Sequence, residues 1–185
     1  AGKSTLMKIM TGVYTKDSGK IIIKGEEKEI KSTNDAKENG IAMIFQEMSL
    51  VPSLTIAENI FLGYELKKHG MRDVKLMKQE TEKVLKRLGL DLDPGTPVSE
   101  LSVGLCQMVE IAKAVSKNAS ILVFDEPSAA LSDSETEFLF KMIRQLKEEG
   151  VSMVYISHRM NEILEICDRV TVIRDGKKVI TEKVE

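Results

Sequence analysis

The sequence has few of the residue types that mark metal, redox and aromatic binding sites. It contains no tryptophan, two histidines and two cysteines among 185 residues, and aromatic residues make up only 4% of it. Cys106 and Cys167 lack the paired spacing of a zinc site or a redox motif. This composition favours a protein of a reducing compartment, with a core built from isoleucine, leucine, valine and methionine.

Long apolar runs and an excess of one charge are also missing. Apolar residues never continue for the roughly 18 positions that a membrane-spanning helix needs. The formal net charge is −2, from 27 basic and 29 acidic side chains, which gives no electrostatic signal for nucleic acid. We therefore expect a globular domain that does not itself cross a bilayer and does not bind nucleic acid.

Strand-like and helix-like segments alternate along the chain. The continuous apolar run at 41–45 is typical of a strand buried on both faces of a sheet, 120–124 is the strongest candidate for a buried strand, and 151–156 is also strand-like. Between the last two runs, residues 132–135 fit a capping box that starts a helix. This alternation predicts an α/β fold with a mostly parallel sheet.

The middle of the chain is more charged and has helical spacing. Two apolar stripes are expected on helices, the first at Val74, Met77, Val84, Leu85 and Leu88 and the second at Met108, Ile111, Ala112 and Val115. We predict a single domain in which 1–61 and 117–185 form an α/β core and 62–116 form an inserted α-helical subdomain. A small antiparallel β portion is expected near 20–26 and around an Asp175-Gly176 turn.

The chain opens with Ala1-Gly2-Lys3-Ser4-Thr5, the last part of the phosphate-loop pattern GxxxxGK[ST]. In that pattern backbone N–H groups wrap the phosphates, the lysine reaches the β and γ groups, and the hydroxyl binds Mg²⁺. The first glycine of the pattern would lie before residue 1, so we expect the protein to contain residues upstream. The alternative is a chance Gly-Lys-Ser at the start of a helix.

A second feature is an apolar run that ends in two acids, Ile121-Leu122-Val123-Phe124-Asp125-Glu126. A parallel sheet presents such residues at the carboxyl ends of its strands, where ligands bind in open α/β folds. Asp125 is then expected in the water shell of Mg²⁺, and Glu126 is expected to polarise water. The alternative is a strand that simply ends in solvated acids. The presence of both this acidic strand end and the opening motif in one sequence argues against that alternative.

The third feature is Leu101-Ser102-Val103-Gly104-Leu105-Cys106-Gln107, shortly before the acidic strand. It resembles the signature motif of ATP-binding cassette ATPases, which begins Leu-Ser-Gly-Gly-Gln. Ser102 can cap the following helix, whose N–H groups and dipole favour an anion. The resemblance implies that Ser102 and Gly104 reach the γ-phosphate of an ATP molecule held by a second cassette, in the same chain or in a homodimer.

The resemblance implies roles for residues elsewhere and a P-loop NTPase-like fold. Gln46 looks like the glutamine that senses Mg²⁺ and the attacking water, 127–132 resemble the D-loop, and His158 resembles the switch histidine that contacts the γ-phosphate. The implied site binds ATP through Gly2, Lys3, Ser4, Thr5, Ser102, Gly104 and Asp125, binds Mg²⁺ through Ser4, Gln46 and Asp125, and hydrolyses ATP with Glu126, His158 and Gln46.

More narrowly, 45–63, 107–114 and 157–160 look like the family branch that energises import of monosaccharides such as ribose, galactose or xylose. This resemblance implies transmembrane permease subunits as partners and an indirect link to a periplasmic or extracellular sugar-binding protein. It also implies a peripheral position on the cytoplasmic face of the membrane. Proteins of this branch usually fuse two cassettes, and this segment would be most of the first.

Some positions depart from the family pattern or leave a choice open. Val103 replaces a glycine, Leu105 stands where glutamine is usual, and Cys106 stands where a polar residue is common. The altered signature keeps a non-hydrolysing regulatory module as an alternative, and a soluble cassette ATPase without a permease is another. The apolar residues Met48, Leu50, Val51 and Leu54 fit either a permease contact or a satellite core.

Overall fold

The computed structural model describes residues 2–45, 49–68 and 70–184. The chain divides into two compact units. The first contains Ala1–Ile44, Ala119–Glu126 and Gly150–Glu185, and the second contains Phe45–Asn118 and Pro127–Glu149. The second unit therefore includes segments on both sides of 62–116, and the separate role of 62–116 as a subdomain remains a prediction.

The described elements follow one another in mixed order. The helices are α1 (Lys3–Met10), α2 (Thr33–Glu38), α3 (Ile56–Ile60), α4 (Val74–Arg87), α5 (Val103–Ser116), α6 (Asp133–Glu148) and α7 (Met160–Ile166), with a short 3-10 helix at Val98–Glu100. The strands are β1 (Ile21–Ile23), β2 (Glu26–Lys28), β3 (Ile41–Ile44), β4 (Lys67–Lys68), β5 (Met71–Arg72), β6 (Ile121–Asp125), β7 (Ser152–Ile156), β8 (Arg169–Arg174) and β9 (Lys177–Lys183).

The first unit is built on a parallel three-stranded sheet in the order β3-β6-β7. The central strand carries Leu122, Val123 and Phe124, which are all fully buried. Val123 belongs to an apolar cluster that includes Ile41 of β3 and Met7 of α1. Apolar side chains on both faces of a strand are stable only when both faces are covered, so the run predicted from the sequence forms the middle of the sheet.

Two antiparallel hairpins complete the first unit. Strand β1 pairs with β2, and β8 pairs with β9. The β8–β9 turn contains Asp175 with φ 50° and Gly176 with φ 74°, the left-handed pair that a tight hairpin requires. The α/β fold with a mostly parallel core and a small antiparallel portion is therefore confirmed.

The second unit is mainly helical. The predicted stripe of α5 is buried, since Met108, Ile111, Ala112 and Val115 are each at most 5% exposed. In α4, Met77 and Leu85 are buried, whereas Val74 is 41% exposed. The helical prediction did not anticipate the small β4–β5 hairpin, whose turn includes Gly70 with φ 81°.

Two short helices were not predicted, although each begins with a recognisable sequence pattern. Ser32 caps α2 and Asp35 returns the bond to the Ser32 backbone, and Thr55 and Glu58 form the same reciprocal box at α3. The pattern of a hydroxyl residue followed three positions later by an acid was sufficient to find both. Their shortness, at six and five residues, leaves too little apolar periodicity for a helical signal.

The segment 50–54, after β3, packs against α3. Leu50 is buried, and Asn59 accepts a bond from the Val51 N–H and donates bonds to the carbonyl oxygens of Val51 and Leu54. The burial of Leu50 favours a packing role for this residue, and Met48 lies outside the described residues. No helix within the described part of the chain combines the length and apolarity needed to span a membrane.

Candidate active site

Helix α1 begins at a glycine rather than at a capping side chain. Gly2 has φ 106° and ψ −13°, and no side-chain hydrogen bond caps the helix. The first helical bond runs from the Leu6 N–H to the Gly2 carbonyl, so the N–H groups of residues 3–5 precede the helical ladder. Such a start leaves backbone donors and the positive end of the helix dipole available to an anion.

The structure brings Ser4 and Asp125 together. Ser4 follows Gly2 in the first turn of α1, and Asp125 is the last residue of β6. The Ser4 hydroxyl donates to Oδ1 of Asp125 across 3.4 Å, although the two residues are 121 positions apart in the chain. A hydroxyl and a carboxylate at this distance are a donor set of hard oxygen atoms, which fits Mg²⁺.

Glu126 and His158 form a second pair next to the first. The His158 Nδ1 atom lies 3.4 Å from Oε1 of Glu126, and the two side chains are 68% and 29% exposed. Glu126 has φ 50°, an uncommon conformation for a residue with a side chain, and its N–H donates to the Ile156 carbonyl across 3.0 Å. That bond fixes the turn after β6 against the end of β7.

Four of the residues predicted for the site therefore form two contacting pairs in the first unit. Gly2, Lys3 and Thr5 lie in the same turn as Ser4, at the start of α1. Gln46 lies outside the described residues. The described site residues of the first unit lie at the start of α1 and at or just after the ends of β6 and β7. The sequence pattern predicted each of these elements.

The signature segment lies in the second unit. Ser102 accepts a hydrogen bond from the Leu105 N–H at 3.2 Å, as predicted for a capping residue of α5. Gly104 is buried, and a Cβ atom at this position would lie 2.0 Å from Oε1 of Glu135. The glycine therefore gives room to the Glu135 carboxylate, which also accepts from the Ser102 hydroxyl at 3.5 Å.

Cys106, one of the altered signature residues, is buried. Cys106 is 8% exposed and its Sγ lies 3.9 Å from the Val98 carbonyl oxygen. Burial, with a smaller contribution from the Glu110 carboxylate, raises the pKa of the Cys106 thiol. A buried thiol of raised pKa is a poor nucleophile, so Cys106 acts as a small apolar residue.

Sequence reasoning missed two acidic residues near the predicted ones. Glu135 was recognised as part of a capping box at 132–135, but its contact with the signature segment was not expected. Glu162, in α7, was not singled out at all and is 6% exposed. An acid in a short amphipathic helix normally indicates a solvated face, so no local pattern distinguishes a buried one.

Solved structures of ATP-binding cassettes are similar to this one. A nucleotide-free ATP-binding cassette from an ABC transporter matches with a TM-score of 0.87 and 25% identity, over 99% of this chain and 76% of that one. A dimeric cassette bound to ADP and Pi after hydrolysis matches with a TM-score of 0.80 and 25% identity, over 99% of this chain and 81% of that one. The P-loop NTPase-like fold expected from the motifs is confirmed.

The sequence comparisons identify the family. A family profile described as ABC transporter matches residues 1–129. A ribose import ATP-binding protein of Caldanaerobacter subterraneus subsp. tengcongensis is 56% identical over 177 residues, covering 95% of this chain and 36% of the relative. A xylose import ATP-binding protein of Thermoanaerobacter pseudethanolicus is 50% identical over 187 residues, covering 100% of this chain and 37% of the relative.

The chain belongs to the ABC transporter family, and the resemblance inferred from its motifs is confirmed. It spans about a third of the length of these relatives.

Proposed function

We propose that this chain binds ATP with Mg²⁺ and contributes to ATP hydrolysis that powers import of a monosaccharide across a membrane. The observation that carries the proposal is the approach of two pairs, Ser4 to Asp125 and Glu126 to His158, each at 3.4 Å. Asp125 and Glu126, at the end of a buried strand, thus lie beside the start of α1 and beside His158. A hydroxyl and an acid that can hold Mg²⁺, beside an acid and a histidine that can act on water, fit phosphoryl transfer to water.

The proposed reaction is the in-line attack of water on the γ-phosphorus of ATP. Catalysis of this step is mainly positioning and neutralisation of charge. Lys3 binds the β- and γ-phosphates, Thr5 binds the α-phosphate, and Ser4 and Asp125 hold Mg²⁺ directly or through its water shell. Bound Mg²⁺ supplies positive charge that offsets the negative charge developing on the phosphate oxygens.

Three residues act on the attacking water and the γ-phosphate in this proposal. Glu126, directly after β6, accepts a proton from the water as general base. His158 contacts the γ-phosphate from beside Glu126. Gln46, by family resemblance, orients the water and links the site to the membrane partner.

The proposal also includes protein partners. Ser102 and Gly104, at the start of α5, contact ATP held by a second cassette, so that ATP joins two cassettes and hydrolysis separates them. The names of the relatives, which are ribose and xylose import proteins, support permease subunits as membrane partners and a peripheral location on the cytoplasmic face. A sugar-binding protein would act on the opposite side, without touching the cassette.

The experiment measures ATP hydrolysis by the full-length gene product, reconstituted in lipid vesicles with its permease. Glu126→Gln should lower kcat by about 10²- to 10⁴-fold, because the general base is lost. ATP binding should change little, because the amide keeps the shape of the carboxylate. Glu182→Gln, at an exposed position of β9, is the matched control and should hydrolyse ATP at the parental rate.

The same preparation separates the competing functions. Uptake of labelled ribose, galactose or xylose that requires ATP and stops in Glu126→Gln would support the importer. Hydrolysis that no permease stimulates would favour a cassette ATPase without a membrane partner. ATP binding without hydrolysis in the parent protein would favour the regulatory module and contradict the proposal.

A further inference from the structure

A buried carboxylate lies directly behind the loop that carries His158. Glu162 of α7 is only 6% exposed. Its Oε2 atom accepts from the Tyr155 hydroxyl at 3.0 Å and from the Ser157 hydroxyl at 2.9 Å, and its Oε1 atom accepts from Arg159 Nη1 at 3.2 Å. The three donors belong to 155–159, the segment with His158 near its centre.

These bonds are more than local helix capping. Tyr155 belongs to β7, Ser157 precedes the histidine, and Arg159 follows it, so one carboxylate joins the strand to both neighbours of His158. Ser157 contributes a further bond, because its hydroxyl accepts from the Arg159 N–H at 2.9 Å. The side chains on both sides of His158, together with the Arg159 backbone N–H, therefore share one set of hydrogen bonds.

His158 needs such support because its own side chain is mostly in solvent. That side chain is 68% exposed, and its contact with Glu126 is 3.4 Å long. Packing around an exposed imidazole does little to restrict it, so the backbone must set where the ring can reach. Burying a carboxylate is unfavourable unless hydrogen bonds replace its lost solvation, and groups of the His158 segment supply such bonds to Glu162.

We propose that Glu162 is the positioning residue of His158: through Tyr155, Ser157 and Arg159 it holds the imidazole beside Glu126 in the geometry that the reaction uses. The inference rests on the proposed function for the reaction it serves. Glu162 itself touches neither nucleotide nor water in this proposal. It acts through the histidine, and its removal should slow the chemical step without weakening ATP binding.

A purely structural role for Glu162 makes a different prediction. In that case its loss would destabilise the first unit and lower activity by the same factor whether or not His158 is present. A positioning role requires that the effect disappear when the histidine is absent. A double-mutant cycle on kcat separates the two roles.

The experiment uses the full-length gene product in four forms: parent, His158→Ala, Glu162→Gln and the double variant. Glu162→Gln should lower kcat by about 10- to 100-fold, because small misplacements of a catalytic group have effects of this size. KM for ATP should stay within about twofold of the parent. In the His158→Ala background, Glu162→Gln should lower kcat no further. Equal losses in both backgrounds, or an unchanged kcat in the single variant, would overturn the proposal.

Two further variants guard the result. Glu165→Gln alters an exposed acid of the same helix and should leave kcat at the parental value. Ser157→Ala removes one of the three donors with little change in shape and should give a smaller loss of kcat that likewise depends on His158. Retention of full activity in Ser157→Ala and Glu162→Gln alike would count against the positioning role.

A spectroscopic measurement gives an answer that does not depend on turnover. In NMR spectra, the ring resonances of His158 are assigned by their loss in His158→Ala. These resonances should shift or broaden in Glu162→Gln but not in Glu165→Gln. If the His158 resonances respond to Glu162→Gln but the parent protein does not hydrolyse ATP, the positioning role of Glu162 is supported and the proposed function is rejected. Normal hydrolysis together with unaffected resonances and kcat in Glu162→Gln would reject the positioning alone.

Discussion

Helices α1 and α5 both start at positions that the family resemblance assigns to ATP phosphates, yet they start in different ways. Helix α1 begins at Gly2 without a side-chain cap, whereas Ser102 caps α5 by accepting from Leu105. At α5 the Glu135 carboxylate also lies against the first turn, in the space that Gly104 leaves. An uncapped start keeps its donors for a ligand, while a capped start is already partly satisfied by the protein.

The two helices are held in place by different interactions. Within the first unit, Met7 of α1 packs in the apolar cluster with β3 and β6, so long-range packing holds a helix that has no cap of its own. Helix α5 has a local cap and a broad buried stripe. Four predictions test this contrast, in order of decreasing effect on stability.

The largest effect is expected from Ile41→Ala, which removes a cluster neighbour of α1. Ile41 is 2% exposed, and a truncation of this kind costs about 2–5 kcal/mol through lost burial and a residual cavity. Urea denaturation of the full-length gene product measures the change. Ile22→Ala, at a strand position that is 63% exposed, is the control and should change stability by about 0.5 kcal/mol or less. Equal losses in the two variants would contradict long-range support of α1.

The next effect is expected from Gly2→Ala, at the start of α1. A Cβ atom there would lie 3.3 Å from Gly176 Cα, on a residue with φ 106°, and strain of this kind costs about 1–3 kcal/mol. Urea denaturation should show this loss of stability, and titration with a fluorescent ATP analogue should show weaker binding, because the first-turn N–H groups move. The matched control is Gly19→Ala, which also has a positive φ but has no atom within 4 Å of the added Cβ. It should bind the analogue as the parent does.

A smaller effect is expected from Ser102→Ala, which removes the cap of α5. The loss should be about 1 kcal/mol in the unliganded protein, because one first-turn N–H loses its acceptor. Ser102→Thr keeps a hydroxyl at the same place and should recover most of that stability. If alanine and threonine gave the same unfolding curve, the cap would not be what stabilises the start of α5.

The smallest effect concerns pH and Glu135. The Ser132 backbone N–H, then the Ser132 hydroxyl and to a lesser extent the Ser102 hydroxyl, hold the pKa of Glu135 below its ordinary value of 4.5. The stabilising effect of this carboxylate is therefore complete above that value and disappears as pH falls through the lowered pKa of the folded state. The stability difference between the parent and Glu135→Gln should shrink in acid, as followed by denaturation at several pH values. A difference that stays constant to about pH 3 would contradict this assignment.

Much of the fold followed from local patterns in the sequence. The buried run of β6, the capping box of α6 and the Asp175-Gly176 turn each depend on residues close together in the chain, and each was predicted. The pairing of Ser4 with Asp125 was expected only because strand ends and helix starts meet at one edge of a parallel sheet.

The contacts that were missed join residues through side chains rather than through backbone patterns. Glu135 reaches Ser102 across 33 positions, and nothing in the spacing of either motif indicates that approach. Glu162 is close in sequence to its partners, yet its burial depends on how α7 packs, which periodicity over seven residues cannot determine.

The left-handed backbone conformation of Glu126 affects any attempt to raise the thermal stability of this protein. Its φ of 50° suits glycine far better than glutamate, so a glycine at this position would relax the turn and favour folding. The same exchange would delete the carboxylate that we assign to water activation. Thermal stability and catalytic turnover therefore place opposite demands on residue 126. Directed selection for heat resistance alone would be expected to replace Glu126 and lose its carboxylate.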